Sequence, residues 1–432
     1  MPALNTPAPQ LSRLAAWALA LTATFTMAVS YLDRQTLAVL GPTVKEQLHI
    51  DNQGYGWLIS AFSIAYLVGA PIAGRLIDRI GARRGLLGAV LLWSAVAALH
   101  AIAPGFAVLF ALRIALGLAE SPSFPGAAQT VHRALPPAAR ARGMGILFTG
   151  SSFGAMIAPK LATWIAANYG FRAAFIGTAL VGLCWVPLWL AVAFHGRARA
   201  VLDRRLDEDL PAASAFDDAP RSEASPAKAE ARTGPFSLAI HPAVLRAALV
   251  VLATSPLINL YFNWSATFLV SDHHLLQAQV GDYLWFPPLL FDLGAVFFGH
   301  RASRARAEGA LTIPRGLVVA SALLMCAGLY IPLARTPLEF TLIAAVSLAG
   351  GGGLFSLATA EMMAQVPANR ISAAGGITAA VQSLAYIVAN PLIGLSVDRS
   401  KSYTPIFLVL SAWVIPGTIG WLLLKPAAAK PT

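Results

Sequence analysis

Apolar residues run along this chain in long stretches instead of alternating with polar ones, and that pattern decides the secondary structure first. A bilayer core of roughly 30 Å takes about 20 apolar residues in a helix. Twelve stretches reach or approach that length: 14–40, 54–77, 86–103, 105–130, 143–167, 171–194, 242–271, 281–300, 314–334, 338–363, 371–395 and 403–424. Each is read as a transmembrane helix. The expected fold class is an all-α membrane protein, twelve transmembrane helices in two six-helix bundles. The one long polar segment, 195–241, contains "DEDLPAASAFDDAPRSEASPAKAEAR". It cannot bury a core, so it reads as a cytoplasmic linker with one short surface helix near Ala198–Leu210. The expected organisation is a disordered N-terminus (1–13), a bundle (14–194), the linker (195–241), a second bundle (242–424) and a tail (425–432). Two such bundles imply a central pathway with a binding site near the midplane between them.

Composition sharpens this picture. The chain of 432 residues is 57% hydrophobic and 12% charged, where soluble chains carry about 25% charge. A soluble enzyme, a disordered chain and a nucleic-acid partner are excluded. The net charge of +11 therefore speaks to orientation. Placing both termini in the cytoplasm puts 23 of the 31 Lys and Arg inside and only Lys45, Arg172, Arg335, Arg399 and Lys401 outside, as the positive-inside rule requires. The first run is too long for a signal-peptide core and no small-residue cleavage site follows it, so it reads as a retained helix. Cys184 and Cys326 both sit in apolar runs, and no Cys/His cluster points to a metal or a cofactor. His273 and His274 are adjacent but have no further ligands at metal-binding spacing, so they read as a solvated loop. No nucleotide-binding motif appears, so the expected energy source is an ion gradient.

The loop after the second span reads Gly74-Arg-Leu-Ile-Asp78-Arg79-Ile-Gly81-Ala-Arg83-Arg84. Asp78 stands at a helix end, where it can pair with a nearby Arg and hold a helix terminus. Gly74 is read as allowing close helix approach. This loop resembles the signature between helices two and three of the major facilitator superfamily, G-x-x-x-D-R-x-G-x-R-R. Gly74, Asp78, Arg79, Gly81 and Arg84 are its gating and structural residues by that resemblance.

Charges inside the spans carry the chemistry. A charge at the bilayer centre costs at least about 2.5–3.5 kcal/mol on insertion scales, so it normally faces a cavity. Span one holds Tyr31-Leu32-Asp33-Arg34, and span four holds Arg113 and Glu120. Their spacing of seven residues is nearly two turns, which places both on one face. Two acids and two bases in one bundle can neutralise one another and have two stable protonation states. Burial favours the protonated acid and a neighbouring Arg the ionised one. Asp33 and Glu120 are therefore the candidate proton-coupling residues. Arg34 and Arg113 are the candidate seats for a substrate carboxylate, which suits the planar guanidinium fork. The other reading is a buried ion-pair network that only braces the bundle.

These segments, together with Gly150–Pro159 ("GSSFGAMIAP"), resemble the anion:cation symporters within the major facilitators. The similarity is greatest to the proton-coupled hexuronate and aldonate (sugar-acid) transporters. It implies alternating access and import of a small organic anion with protons, by a monomer in the cytoplasmic (inner) membrane. Another carboxylate is the alternative substrate. A drug/proton antiporter fits less well, because Pro159 follows "GAMIA" without the G-P-x-x-G-G turn of those exporters. No Ser/His, HExxH or GxGD arrangement in the spans points to an enzyme.

Softer candidates surround these. Tyr31 and Tyr66 occupy positions where the sugar-acid branch places tyrosines, and a phenol can bond a hydroxylated substrate. In the second half Asn259, Tyr261, Asn263 and Trp264 lie together in span seven. Ser356 and Thr359 lie in span ten, and Gln382 and Asn390 in span eleven. Packing and binding are both open to each, since polar side chains also hold membrane helices together. Asn263, Gln382 and Ser356 are kept as substrate-binding candidates. Lys160 follows Pro159 and either snorkels outward or adds a cation to the site. Asp292 is a candidate gate or proton site. Glu361 is expected to pair with a gating Arg.

Overall fold

The computed structural model describes residues 11–203, 238–307, 312–367 and 370–424. The expected disordered N-terminus, most of the linker and the C-terminal tail lie outside the described residues. Every regular element among the described residues is helical. The first half contributes α1 (Arg13–Val39), α2 (Gly41–Gln47), α3 (Asn52–Ile80), α4 (Ala82–Leu99), α5 (Phe106–Glu120), α6 (Ser123–Ala134), α7 (Pro137–Tyr169), α8 (Phe171–Ala193) and α9 (Gly196–Asp203). The second contributes α10 (Pro242–Ser271), α11 (Val280–Leu284), α12 (Phe286–Ala307), α13 (Arg315–Met325), α14 (Pro337–Gln365), α15 (Ile371–Ser400) and α16 (Thr404–Leu423). Among the described residues, ten stretches are long and apolar enough to cross a membrane. The fifth and eighth expected spans, α7 and α12, are not among the ten. The first is rich in glycine and serine and carries Arg140, Arg142 and Lys160; the second carries Asp292 and three arginines. At 22 residues and 1.5 Å per residue, α12 is still about 33 Å long.

Span four is broken where the sequence suggested one helix. The break follows Glu120, at Ser121-Pro122, with Pro125 three residues on. Proline has no N–H, so Pro122 cannot donate to the carbonyl four residues back, that of Leu118. The Ser121 hydroxyl donates to it at 2.7 Å and the Ser121 N–H at 3.3 Å. Such rescue by a neighbouring hydroxyl is how membrane helices tolerate proline.

The described residues group into two units, within the bounds Met1–Leu37 with Ala65–Asp218, and Ala38–Ile64 with Ala219–Thr432. In the first unit α8 packs on α4 and α7, and α4 also on α5 and α6. Glycine lets helices touch through their backbones: a side chain at Gly150 or Gly154 of α7 would strike the Thr24 or Ala28 carbonyl of α1. The expected "GSSFGAMIAP" stretch is thus a helix-packing face. In the second unit α10 is central, against α14, α15 and α16. Gly294 of α12 and Gly352 of α14 leave the same kind of backbone contact between those two helices.

The second unit also takes in 38–64, the end of α1, all of α2 and the start of α3. Gly56 of α3 lies against the Asn390 carbonyl of α15, and Gly394 of α15 against the Asn52 carbonyl of α3. Asp398 accepts hydrogen bonds from the Asn52 side chain (2.8 Å), the Asn52 N–H (3.3 Å) and the Gln53 N–H (2.9 Å). A carboxylate there satisfies first-turn donors that no helix can satisfy for itself. The Lys45 ammonium donates to the Asn52 side-chain oxygen at 2.5 Å. Burial pushes Lys45 down to about 8, against the opposing pull of Asp398.

Candidate functional site

The first unit gathers the four charges picked out by spacing. Glu120, fully buried, receives the Arg34 Nε at 2.6 Å on its Oε2, and the Ser30 hydroxyl donates to the same oxygen at 2.7 Å. Its Oε1 is buried without a hydrogen-bond partner. The Arg34 guanidinium lies over two aromatic rings, 4.8 Å from the Tyr31 centroid and 4.6 Å from that of Tyr66. Both rings attract the weakly hydrated cation. Tyr31 and Tyr66 thus act on Arg34 first.

Asp33 follows a different arrangement. It is 3% exposed, and neither carboxylate oxygen has a hydrogen-bond partner. It lines a narrow crevice, too tight for a water-sized sphere, together with Ala97, His100, Arg113, Leu116, Phe175 and Thr178. Arg113 is buried in the same place. The four charges therefore fall into two acid–base sets, Glu120 with Arg34 and Asp33 with Arg113. An unsatisfied buried carboxylate is costly and marks either a protonated group or a site awaiting a partner.

The signature loop is arranged differently from its expected form. Asp78 is exposed and accepts from Gln129 of α6 at 3.0 Å, not from an arginine; Gln129 in turn accepts the first N–H of α4, that of Ala82, at 3.0 Å. Asp78 therefore holds a helix terminus through an intermediate amide. The buried arginine is Arg83, while Arg79 and Arg84 are exposed. Arg83 grips Asp203 of α9 with two hydrogen bonds of 2.8 and 2.5 Å and lies 4.2 Å over the Phe194 ring. Gly74 does not provide a close helix contact, since a side chain there would meet nothing within 4 Å. The close contacts of this region are at Gly85 of α4, against Ile77 of α3, and at Gly126 of α6, against Leu86. Gly81 precedes α4 at φ +82°, a left-handed conformation that favours glycine.

In the second unit the amides satisfy one another. Asn259 donates to Asn390 (2.7 Å), Asn390 to the Tyr386 carbonyl (2.8 Å), Trp264 to Asn390 (3.0 Å) and Asn263 to Asn259 (2.9 Å). Asn259, Asn390 and Trp264 are buried, and Asn263 and Gln382 are half-buried; Gln382 donates to the Tyr386 hydroxyl at 3.3 Å. Ser356 lies against Gly299 of α12, and Gly299 leaves the space its hydroxyl needs. Glu361 receives both arms of Arg246, at 3.0 and 3.1 Å, and the Trp421 indole at 2.8 Å. Arg246 also bonds the Trp421 and Leu424 carbonyls, so this pair ties α10, α14 and α16. Lys160 is exposed and Asp292 half-buried.

Sequence reasoning missed Ser30, Arg83 and His100. Ser30 lies one helical turn before Arg34, a spacing that could have found it. Nothing local separates Arg83 from its neighbours Arg79 and Arg84.

Ten apolar spans among the described residues, with a largely buried four-charge cluster, define the class: a polytopic membrane transporter. The Major Facilitator Superfamily model matches residues 23–389, and the chain belongs to that superfamily. It is 26% identical over 422 residues to the hexuronate transporter of Escherichia coli (strain K12), covering 95% of each chain. It is 24% identical over 410 residues to a probable galactarate/D-glucarate transporter of Bacillus subtilis (strain 168), covering 92% of this chain and 89% of that one. Among solved structures, a bacterial homologue of the human lysosomal transporter Spinster, inward-facing and occupied, superposes with a TM-score of 0.72 at 13% identity, covering 96% of this chain and 97% of that one. Fold and relatives are those of transporters, not enzymes, and the protein is homologous to sugar-acid transporters.

Proposed function

We propose that the protein imports a sugar acid, such as a hexuronate or aldonate, together with protons by alternating access. In this reading all twelve helices cross the cytoplasmic membrane, the chain works as a monomer, both termini are cytoplasmic, and a polar linker joins two six-helix bundles. One observation carries the reading. Two carboxylates and the Arg113 guanidinium are buried together in the first unit with the half-buried Arg34, and one oxygen of Glu120 and both of Asp33 have no hydrogen-bond partner.

The mechanism follows from charge balance. With both acids ionised, the two arginines are neutralised locally and an incoming carboxylate meets little net attraction. Protonation of Glu120 removes the anion that engages the Arg34 Nε. Protonation of Asp33 does the same beside Arg113. Each proton thereby exposes a cation, and a buried cation in low dielectric attracts a carboxylate strongly. Tyr31 and Tyr66 keep Arg34 in place. The half-buried amides Asn263 and Gln382 supply contacts for sugar hydroxyls. Deprotonation toward the cytoplasm restores the internal pairs and expels the anion.

Uptake of labelled D-glucuronate into proteoliposomes tests this. Glu120→Gln, which mimics the protonated acid, is expected to abolish uptake driven by a pH gradient while retaining counterflow. Full concentrative uptake by that variant would refute the assignment.

A further inference from the structure

His100 closes the crevice that holds Asp33, and its chemistry is not used above. It is 3% exposed and sits in the turn His100–Ile102 that ends α4. Its Nδ1 is 2.8 Å from the Val96 carbonyl one turn back. A carbonyl only accepts, so Nδ1 carries the hydrogen, and in the neutral ring Nε2 holds the lone pair. That Nε2 is buried and has no hydrogen-bond partner. The ring stacks on Phe175 of α8 with centroids 5.6 Å apart, which fixes its plane. An acceptor nitrogen and a carboxylate, both without partners, thus line one crevice.

The level of these groups along the bundle matters. Asp33 stands six residues before the end of α1 and Arg113 seven after the start of α5. Both lie toward the bundle end where α4 gives way to the His100 turn and the Ala103-Pro104-Gly105 loop. In the proposed orientation that loop faces outside. Arg172 of α8 donates to the carbonyls of Ala101 (2.6 Å) and Ala103 (3.4 Å), holding the turn over the crevice. The charged groups around His100 are therefore Asp33 from α1, Arg113 from α5 and Arg172 from α8; Thr178 and Phe175 of α8 complete the lining.

We propose that His100 is the proton relay between the outer solution and Asp33, a role that rests on the proton-coupled reading above. When the crevice opens outward, a hydronium ion gives its proton to the Nε2 lone pair, leaving water and an imidazolium. The imidazolium and Asp33 are then drawn into hydrogen-bond reach, the Nε2–H bond breaks and the proton passes to a carboxylate oxygen of Asp33, giving the neutral acid and the original imidazole, with Nδ1–H still on Val96. One proton enters, one arrives, and the ring is unchanged. The neutral Asp33 no longer balances Arg113, whose charge then serves the substrate.

Two variants test it in proteoliposomes. His100→Asn keeps a side-chain N–H for Val96, and His100→Gln fills the Nε2 position; neither titrates. Counterflow of labelled D-glucuronate reports binding and alternation without net proton movement. The expected result is uptake driven by a pH gradient slowed at least about tenfold, as for loss of a positioned acid–base group, with counterflow within about twofold of wild type. Unchanged gradient-driven uptake in a variant that retains counterflow would overturn the relay. Loss of counterflow in both variants would also overturn it, by making His100 a structural residue. Wild-type protein with no gradient-driven uptake would instead defeat the transport reading, so the two failures are distinct.

Discussion

Replacing Arg34 by lysine keeps the positive charge but removes the planar fork and its contacts with two rings. The guanidinium lies 4.8 and 4.6 Å from the Tyr31 and Tyr66 centroids and donates its Nε to Glu120 at 2.6 Å. An ammonium on a flexible stem keeps a point charge for Glu120 but not both ring contacts. Each desolvated cation–π contact is worth about 0.5–2 kcal/mol. Losing one of two charge-assisted hydrogen bonds to a substrate carboxylate costs about 1.5–3 kcal/mol. Allowing for partial replacement by the ammonium, the loss is about 2–4 kcal/mol, or roughly 30- to 1,000-fold in Kd. Titration calorimetry of purified protein with D-glucuronate at acidic pH measures this directly. Tyr66→Phe, which keeps the ring, should bind within a few-fold of wild type, and Tyr66→Leu should move toward the Arg34→Lys value. Arg34→Lys binding as tightly as wild type would show that the Arg34 fork is not the anion's seat.

Further outcomes follow from other parts of the molecule. Glu361→Gln should destabilise the protein by about 3–5 kcal/mol, since it leaves Arg246 a buried charge without its counter-ion, whereas a double change to methionine at both positions should recover most of the loss. Thermal melting in detergent checks this, and a single variant as stable as wild type would mean that the pair does not brace α10, α14 and α16. Lys45 is held at about 8 instead of its ordinary 10.5, so between those pH values the unfolded chain binds the proton that the folded one has shed. Stability should therefore rise as pH climbs from about 8 toward 10.5, and below about 8 the burial cost is present in full. Lys45→Met should flatten that rise and raise the melting temperature at neutral pH; a melting curve against pH with the same slope in both proteins would contradict it.

The pattern of apolar runs was enough to read the helical membrane architecture, because a spanning segment must satisfy all its backbone groups within itself and so declares itself locally. The costly charges within the apolar runs were legible too. Charges in apolar runs are costly wherever they occur, and a seven-residue spacing puts Arg113 and Glu120 on one face whatever the rest of the chain does. Contacts between helices were not legible. The sequence could not say that Asp33 would share a crevice with His100, that Asp78 would meet Gln129 instead of an arginine, or that Arg83 would be the buried member of its cluster. Each depends on which helix faces which, and in an apolar solvent that is decided by shape, at glycines such as Gly154 and Gly56, where two backbones touch. The grouping of 38–64 with the second unit has the same origin. A helix records in its own sequence that it crosses a membrane, but its partners are chosen by surfaces that come together only when the whole chain has packed.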